Sequence, residues 1–123
     1  MYTLDTNAII YYLDEDPAVV SVLDPLLAQD IALFVSVVTE LELLSYPRLT
    51  EEDMAEIAQL LASMVVFPLE SRLVHLAAAL RRQYRLKTPD SVVAATALLT
   101  RTTLVTRNVQ DFQAIAGLFL LPI

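Results

Sequence analysis

Short apolar runs alternate with stretches of helical spacing along the whole chain, and few folds accept that order. Residues 2–4, 31–35, 64–67, 103–105 and 118–121 read as strands. The run at 31–35 is apolar at every position, as in a strand buried on both faces. Helices are expected at 8–13, from Asp16-Pro17 to about Gln29, from Ser36 to just before Pro47, and from Thr50 to about Ser63. Leu69, Leu73, Leu76, Ala77 and Leu80 form a stripe for a further helix reaching about Leu86. Two more are expected at 92–99 and 108–116. Strands that alternate with helices pair in parallel, which predicts an α/β fold, a three-layer α/β/α sandwich around a mainly parallel sheet. At 123 residues, one domain spanning 1–123 is expected.

Cap residues set the expected boundaries. Asp5-Thr6-Asn7 supplies caps for the first helix, Asp16 precedes Pro17 as cap and first turn, and Thr50 with Asp53 resembles a capping box. Asp90, after Pro89, is read as the cap of the helix at 92–99, and Asn108 as the cap of the one that follows.

Four acids stand out against this frame. Asp5, Glu42 and Asp111 each follow one of the apolar runs, and Asp90 opens a helix. In a doubly wound sheet, the junctions at the carboxyl ends of strands line the crevice where ligands bind. Carboxylates gathered there repel one another unless a cation holds them, and hard oxygen donors of this kind suit Mg2+ or Mn2+, one or two ions. Thr6, Asn7, Thr106 and Asn108 add hydroxyl and amide groups beside the acids. Each acid also has a purely structural explanation: Asp5 and Asp90 as caps, Asp111 as a first-turn acid, Glu42 as a solvated helix residue. On the helix after Ser36, Glu40 and Glu42 point about 200° apart, flanking an apolar face of Val37, Val38, Leu41 and Leu44. Periodicity alone does not choose between the two glutamates.

Composition narrows the chemistry. The single glycine, Gly117, excludes the glycine-rich phosphate loops, and the absence of cysteine excludes disulfides and thiol chemistry. No apolar stretch reaches the roughly 18 residues of a membrane span, and the first residues lack the pattern of a signal peptide. A soluble cytoplasmic protein is the expectation. The net charge of −7 argues at first against a nucleic-acid partner. However, Arg81, Arg82, Arg85 and Lys87 crowd into seven residues, and with Arg107 they are candidates for contact with nucleic-acid phosphates, since local charge decides where a backbone docks. The lone His75 has no recognisable relay partner and reads as a surface or internally satisfied residue. Tyr11, Tyr12, Tyr46 and Tyr84 read as packing residues before base-stacking ones.

Leu4-Asp5-Thr6-Asn7 resembles the opening of PIN-domain ribonucleases, particularly the VapC-type toxins of bacterial toxin–antitoxin pairs. Ser36-Val37-Val38-Thr39-Glu40-Leu41-Glu42-Leu43 is similar to that family's S-x-x-T-x-x-E-L, with the acid on Glu42. Pro89-Asp90 before an alanine-rich helix resembles the third acidic motif, and Leu104 to Phe112 the last, with its acid on Asp111. The resemblance spans the chain and implies a metal-dependent endoribonuclease. Asp5, Asp90 and Asp111 would be ligands, and Glu42 a ligand or the orienter of a water. It further implies an RNA substrate, a cognate antitoxin and a homodimer. Where some relatives carry an acid, this chain has Asn108, and Ser45-Tyr46-Pro47 stands where many have a glycine. An aspartyl-phosphate phosphatase is a poor alternative, because Asn7 occupies the place of its second aspartate. A catalytically inactive PIN-like or receiver-like interaction module is the other alternative, disfavoured by the full set of four acids.

Overall fold

Tyr2–Leu4 (β1) pairs in parallel with both Leu33–Ser36 (β2) and Thr103–Thr106 (β4). Val65–Phe67 (β3) lies outside β2 and Leu120–Pro122 (β5) outside β4, giving the order β3-β2-β1-β4-β5 with every neighbour parallel. The computed structural model describes residues 1–123. Helices Thr6–Leu13 (α1), Pro17–Ala28 (α2), Val37–Leu43 (α3), Glu51–Ala62 (α4), Ser71–Tyr84 (α5), Thr88–Thr100 (α6) and Val109–Phe112 (α7) connect the strands. The expected α/β/α sandwich is the fold observed.

Two apolar clusters, one on each face of the sheet, hold the layers together. Leu4, Leu33, Val35 and Val105 point into one cluster with Ile9 of α1, Val19 and Leu23 of α2 and Ile57 of α4. Leu104, the neighbour of Val105, points the other way, toward Leu73 and Leu80 of α5 and the alanines of α6. This alternation is the two-residue period of a strand covered on both faces. Helix α6 is buried at seven successive positions, Ser91 to Ala97. Its Ala94, Ala95 and Ala97 are too small to hold the helix off the sheet, so it packs against β1, β2 and β4 as well as α5. A helix buried all round has no amphipathic stripe to detect.

Several boundaries differ from expectation. Asp90 does not cap α6: Lys87 occupies the cap position and Thr88 and Pro89 open the helix, which places Asp90 in its first turn. Proline fits there because its missing N–H is one that has no helical partner anyway. Asp5 is the backbone cap of α1, but its carboxylate makes no capping bond. Asn108 likewise caps α7 only by position, and α7 lasts four residues rather than reaching Ala116. Beyond it, the chain turns through Gly117 (φ 79°) so that Phe112 and Ile115 both reach the core, and the Ala116 N–H donates to the Tyr84 hydroxyl. The last strand accordingly starts at Leu120, not 118. On α3 the inward residues are Thr39 and Leu43, one turn apart, while Leu41 and Leu44 are 64% and 45% exposed. The expected apolar face therefore points partly to solvent. Asp16 and the Thr50–Asp53 capping box behave as expected.

Candidate functional site

The sheet order reverses at β1, which has β2 on one side and β4 on the other, so the crevice of a doubly wound sheet opens between the carboxyl ends of β1 and β4. Asp5 lies there. Its backbone N–H donates to the Val105 carbonyl, continuing the ladder one step past the strand, and only 4% of the residue is exposed. The Thr106 hydroxyl donates to Asp5 Oδ2 at 2.8 Å and in turn accepts the Asn108 N–H at 3.0 Å. Burial pushes the Asp5 carboxyl up to about 6, the Thr106 bond pulls it back, and the charges of Asp90 and Glu42 raise it again.

Glu42 reaches the same crevice from α3. Thr6, the first residue of α1, donates its hydroxyl to Glu42 Oε1 at 2.8 Å, and the Thr39 hydroxyl lies 2.9 Å from the same Thr6 oxygen. Thr39 and Glu42 are three residues apart and share one helix face, whereas Glu40 lies on another. Glu42 is thus the member of the pair that faces the acids. Each residue of S-x-x-T-x-x-E-L has a place: Ser36 caps α3 by accepting the Val38 N–H, Thr39 and Glu42 engage Thr6, and Leu43 is buried in the core. The signal that could have singled out Thr39 is its spacing from Glu42.

Asp90 enters from the first turn of α6. Its carboxyl is raised, first by burial and then by the charges of Asp111 and Glu42, with Lys87 opposing. Asp111, on α7, is exposed and accepts a hydrogen bond from Asn108 Nδ2 at 2.8 Å. The structure therefore brings Asp5, Glu42, Asp90 and Asp111 into one electrostatic group, with Thr6, Thr106 and Asn108 bonded to them; Asn7 is exposed on α1.

The cationic candidates divide. Arg107 turns away from the crevice: it pairs with Asp16 at 3.2 Å, stacks 4.4 Å over the Tyr11 ring and donates Nε–H to the Ile123 carbonyl. Arg81 donates to the Leu86 carbonyl and braces the turn between α5 and α6. Arg82, Arg85 and Lys87 are exposed, and Lys87 acts on Asp90.

Arg107–Asp16 is the one salt bridge in the molecule, so none of the four crevice acids has a cationic side chain paired with it. An all-oxygen donor set with its own charge uncompensated fits a hard divalent ion. In the arrangement seen, no three acidic or histidine side chains form a ready-made metal cluster. No helix is long and apolar enough to cross a membrane.

The PIN domain family matches residues 2–118. Among solved structures, a toxin–antitoxin complex from Klebsiella pneumoniae contains a chain 25% identical to this one, with a TM-score of 0.82 over 98% of this chain and 96% of that one. VapBC-1 from nontypeable Haemophilus influenzae matches at 26% identity and a TM-score of 0.80, over 98% and 96%. VapBC2 from Rickettsia felis, bound to a DNA fragment from its promoter, matches in fold at 21% identity and a TM-score of 0.82, over 99% and 98%. No curated protein matches the chain in sequence.

Proposed function

Because the chain belongs to the PIN domain family, we propose that it is a Mg2+- or Mn2+-dependent endoribonuclease and the toxin of a toxin–antitoxin pair. One observation carries the reading. Asp5, a residue only 4% exposed, sits beside other acids at the carboxyl ends of β1 and β4, and no basic residue pairs with it. A protein gains nothing from such an arrangement unless something positive enters it.

Asp5, Asp90 and Asp111 would hold the ion, with Glu42 as a further ligand or as the group that orients the attacking water. Such an ion, when bound, activates water as a Lewis acid and offsets charge on the leaving 3′ oxygen. Thr106 and Thr6 fix the Asp5 and Glu42 carboxylates from behind, and Asn108 fixes Asp111, so the acids meet a phosphate in set orientations. In-line attack by water on the side opposite the 3′ oxygen leaves a 3′-hydroxyl and a 5′-phosphate. Lys87, which acts on Asp90, and the exposed Arg82 and Arg85 would meet flanking phosphates.

The antitoxin has a fitting surface. A groove of about 780 Å³ runs between α1, α2 and α4, with an apolar floor that includes Val20, Leu27 and Leu60 and an acidic rim of Glu15, Asp24 and Glu56. A basic amphipathic segment of the antitoxin complements it. Homodimerisation through the exposed Leu41 of α3 and Leu44 just past its end belongs to the same reading, as does action in the cytoplasm on RNA.

The test is cleavage of a mixed structured and single-stranded RNA pool with added Mg2+ or Mn2+, comparing wild type with Asp5→Asn and Asp90→Asn. Metal-dependent cutting that leaves 5′-phosphates should fall by on the order of 10³-fold in either variant, equivalent to several kcal/mol of lost charge stabilisation. Equal cutting by wild type and variants, or none by any of them with either metal, would leave the acids structural and the chain a binding module.

A further inference from the structure

Thr39 is fully buried, with 0% exposure, in the middle of α3. A buried helical threonine ordinarily satisfies its hydroxyl on the carbonyl one turn back, as Thr96 does on Val92. Thr39 instead reaches across to α1, where its hydroxyl and that of Thr6 lie 2.9 Å apart. Thr6 has one hydroxyl proton. Its geometry toward Glu42 Oε1, an oxygen that can only accept in the ionised carboxylate, assigns that proton to the glutamate. The Thr39 proton must then point at the Thr6 oxygen. The result is a directed chain, Thr39 to Thr6 to Glu42, in which each donor polarises the next.

Resting on the nuclease reading above, we propose that Thr39 is a positioning residue for Glu42. It touches neither substrate nor ion. By occupying the lone pair that Thr6 offers, it removes the alternative in which the Thr6 hydroxyl rotates inward and releases the carboxylate. Oε1 is thereby held, while Oε2 accepts no hydrogen bond from the protein and stays open to the crevice. Glu42 sits on the same short helix, so without this chain its side chain would be free to rotate toward solvent, where the neighbouring Leu41 already points. The chain converts a flexible glutamate into one with a fixed orientation, at the cost of burying two hydroxyls that each donate to the next member of the chain.

The test is Mn2+ affinity by titration calorimetry on wild type, Thr39→Val, Thr39→Ser, Thr6→Val and the Thr6→Val/Thr39→Val double variant. Metal-free thermal melts and steady-state cleavage accompany it. Loss of a hydrogen bond behind a ligand carboxylate weakens metal binding by roughly tenfold or more. Thr6→Val should show about that loss and Thr39→Val a smaller one, about threefold to tenfold. Thr39→Ser, which keeps the hydroxyl, should restore wild-type affinity. Adding Thr39→Val to Thr6→Val should cost nothing further in affinity, because the chain is already broken at Thr6. In cleavage, Thr39→Val should lower kcat with KM for RNA unchanged. Additive losses in the double variant, a Thr39→Ser variant as weak as Thr39→Val, or wild-type affinity together with wild-type kcat in Thr39→Val would overturn the positioning role and leave the nuclease reading intact. A wild type that binds no Mn2+ and cleaves nothing would overturn both.

Discussion

Asp5 and Asp111 each accept a side-chain hydrogen bond of 2.8 Å, one from Thr106 and the other from Asn108. Both follow a strand of the same sheet and both face the same crevice. Yet Asp5 is almost wholly buried, with its carboxyl pushed up to about 6, while Asp111 stands exposed on a four-residue helix. The difference shows that bond length does not set the electrostatic state of a carboxylate. What matters is the water it has lost. The site joins one acid whose charge destabilises the empty fold to another that solvent screens at little cost.

The comparison can be broken most directly through stability. With a folded-state pKa near 6 against 3.8 for an unperturbed aspartate, Asp5 binds its proton more tightly in the folded chain than in the unfolded one. Its contribution is therefore fully present below about pH 4 and lost as pH rises through about 6. Metal-free Asp5→Asn should gain on wild type across that window, by about 3 kcal/mol at most. Asp111→Asn should stay within about 0.5 kcal/mol of wild type throughout. Urea titrations at pH 4, 5.5 and 7 decide this, and parallel curves for the two variants would refute it. Added Mn2+ should close the gap for wild type alone.

A sharper probe removes the partner instead of the acid. Thr106→Val keeps the shape of the side chain but strips both the donor to Asp5 Oδ2 and the acceptor of the Asn108 N–H. A buried carboxylate oxygen left without its donor should cost about 1–3 kcal/mol. The loss should shrink at pH 5, where protonation removes the charge that needs solvating; a pH-independent loss would mean that packing, not the bond, matters there.

The smallest effect concerns the rim of the site. Lys87→Ala removes an exposed cation beside Asp90 and should weaken RNA binding only modestly. Its signature is a salt dependence shallower by about one unit on a log–log plot. An unchanged slope would take Lys87 out of the phosphate contacts. The same substitution in place of Arg107 should leave that slope alone, because Arg107 is committed to Asp16 and Tyr11.

The parts legible in the sequence were those fixed by short-range rules. Parallel strands covered on both faces write themselves as unbroken apolar runs, and Asp16 and Thr50 announce their helices because a cap bonds within its own turn. Asp5, Glu42 and Asp111 stood out for the same reason, by their positions after apolar runs, and Asp90 by its place after Pro89. What escaped was decided by contacts distant in the chain. Asp5 and Asn108 sit at cap positions without capping, since Thr106 and Asp111 claim their side chains. Helix α3 turns Leu41 outward because Thr39 is drawn to Thr6, and no hydrophobic count records a hydroxyl pair between two helices. Arg107, a candidate for phosphate contact, is held by Asp16, a partner 91 residues away that no local pattern announces. The start of α6 was misplaced for a simpler reason: aspartate and Pro89 both suit a helix start, and the proline proved to lie inside the first turn.

The pairing of β1 with β4 sets a clock on the protein's synthesis. Tyr2 to Leu4 meet Thr103 to Val105, and the Thr106–Asp5 bond spans 101 residues. At a translation rate of about 5–20 residues per second, that bond waits roughly 5–20 s after Asp5 has been made. During that interval the nascent chain carries Asp5, Glu42 and later Asp90, but the crevice has only one wall. Whatever chemistry the four acids carry is withheld until β4 has been made and has paired with β1.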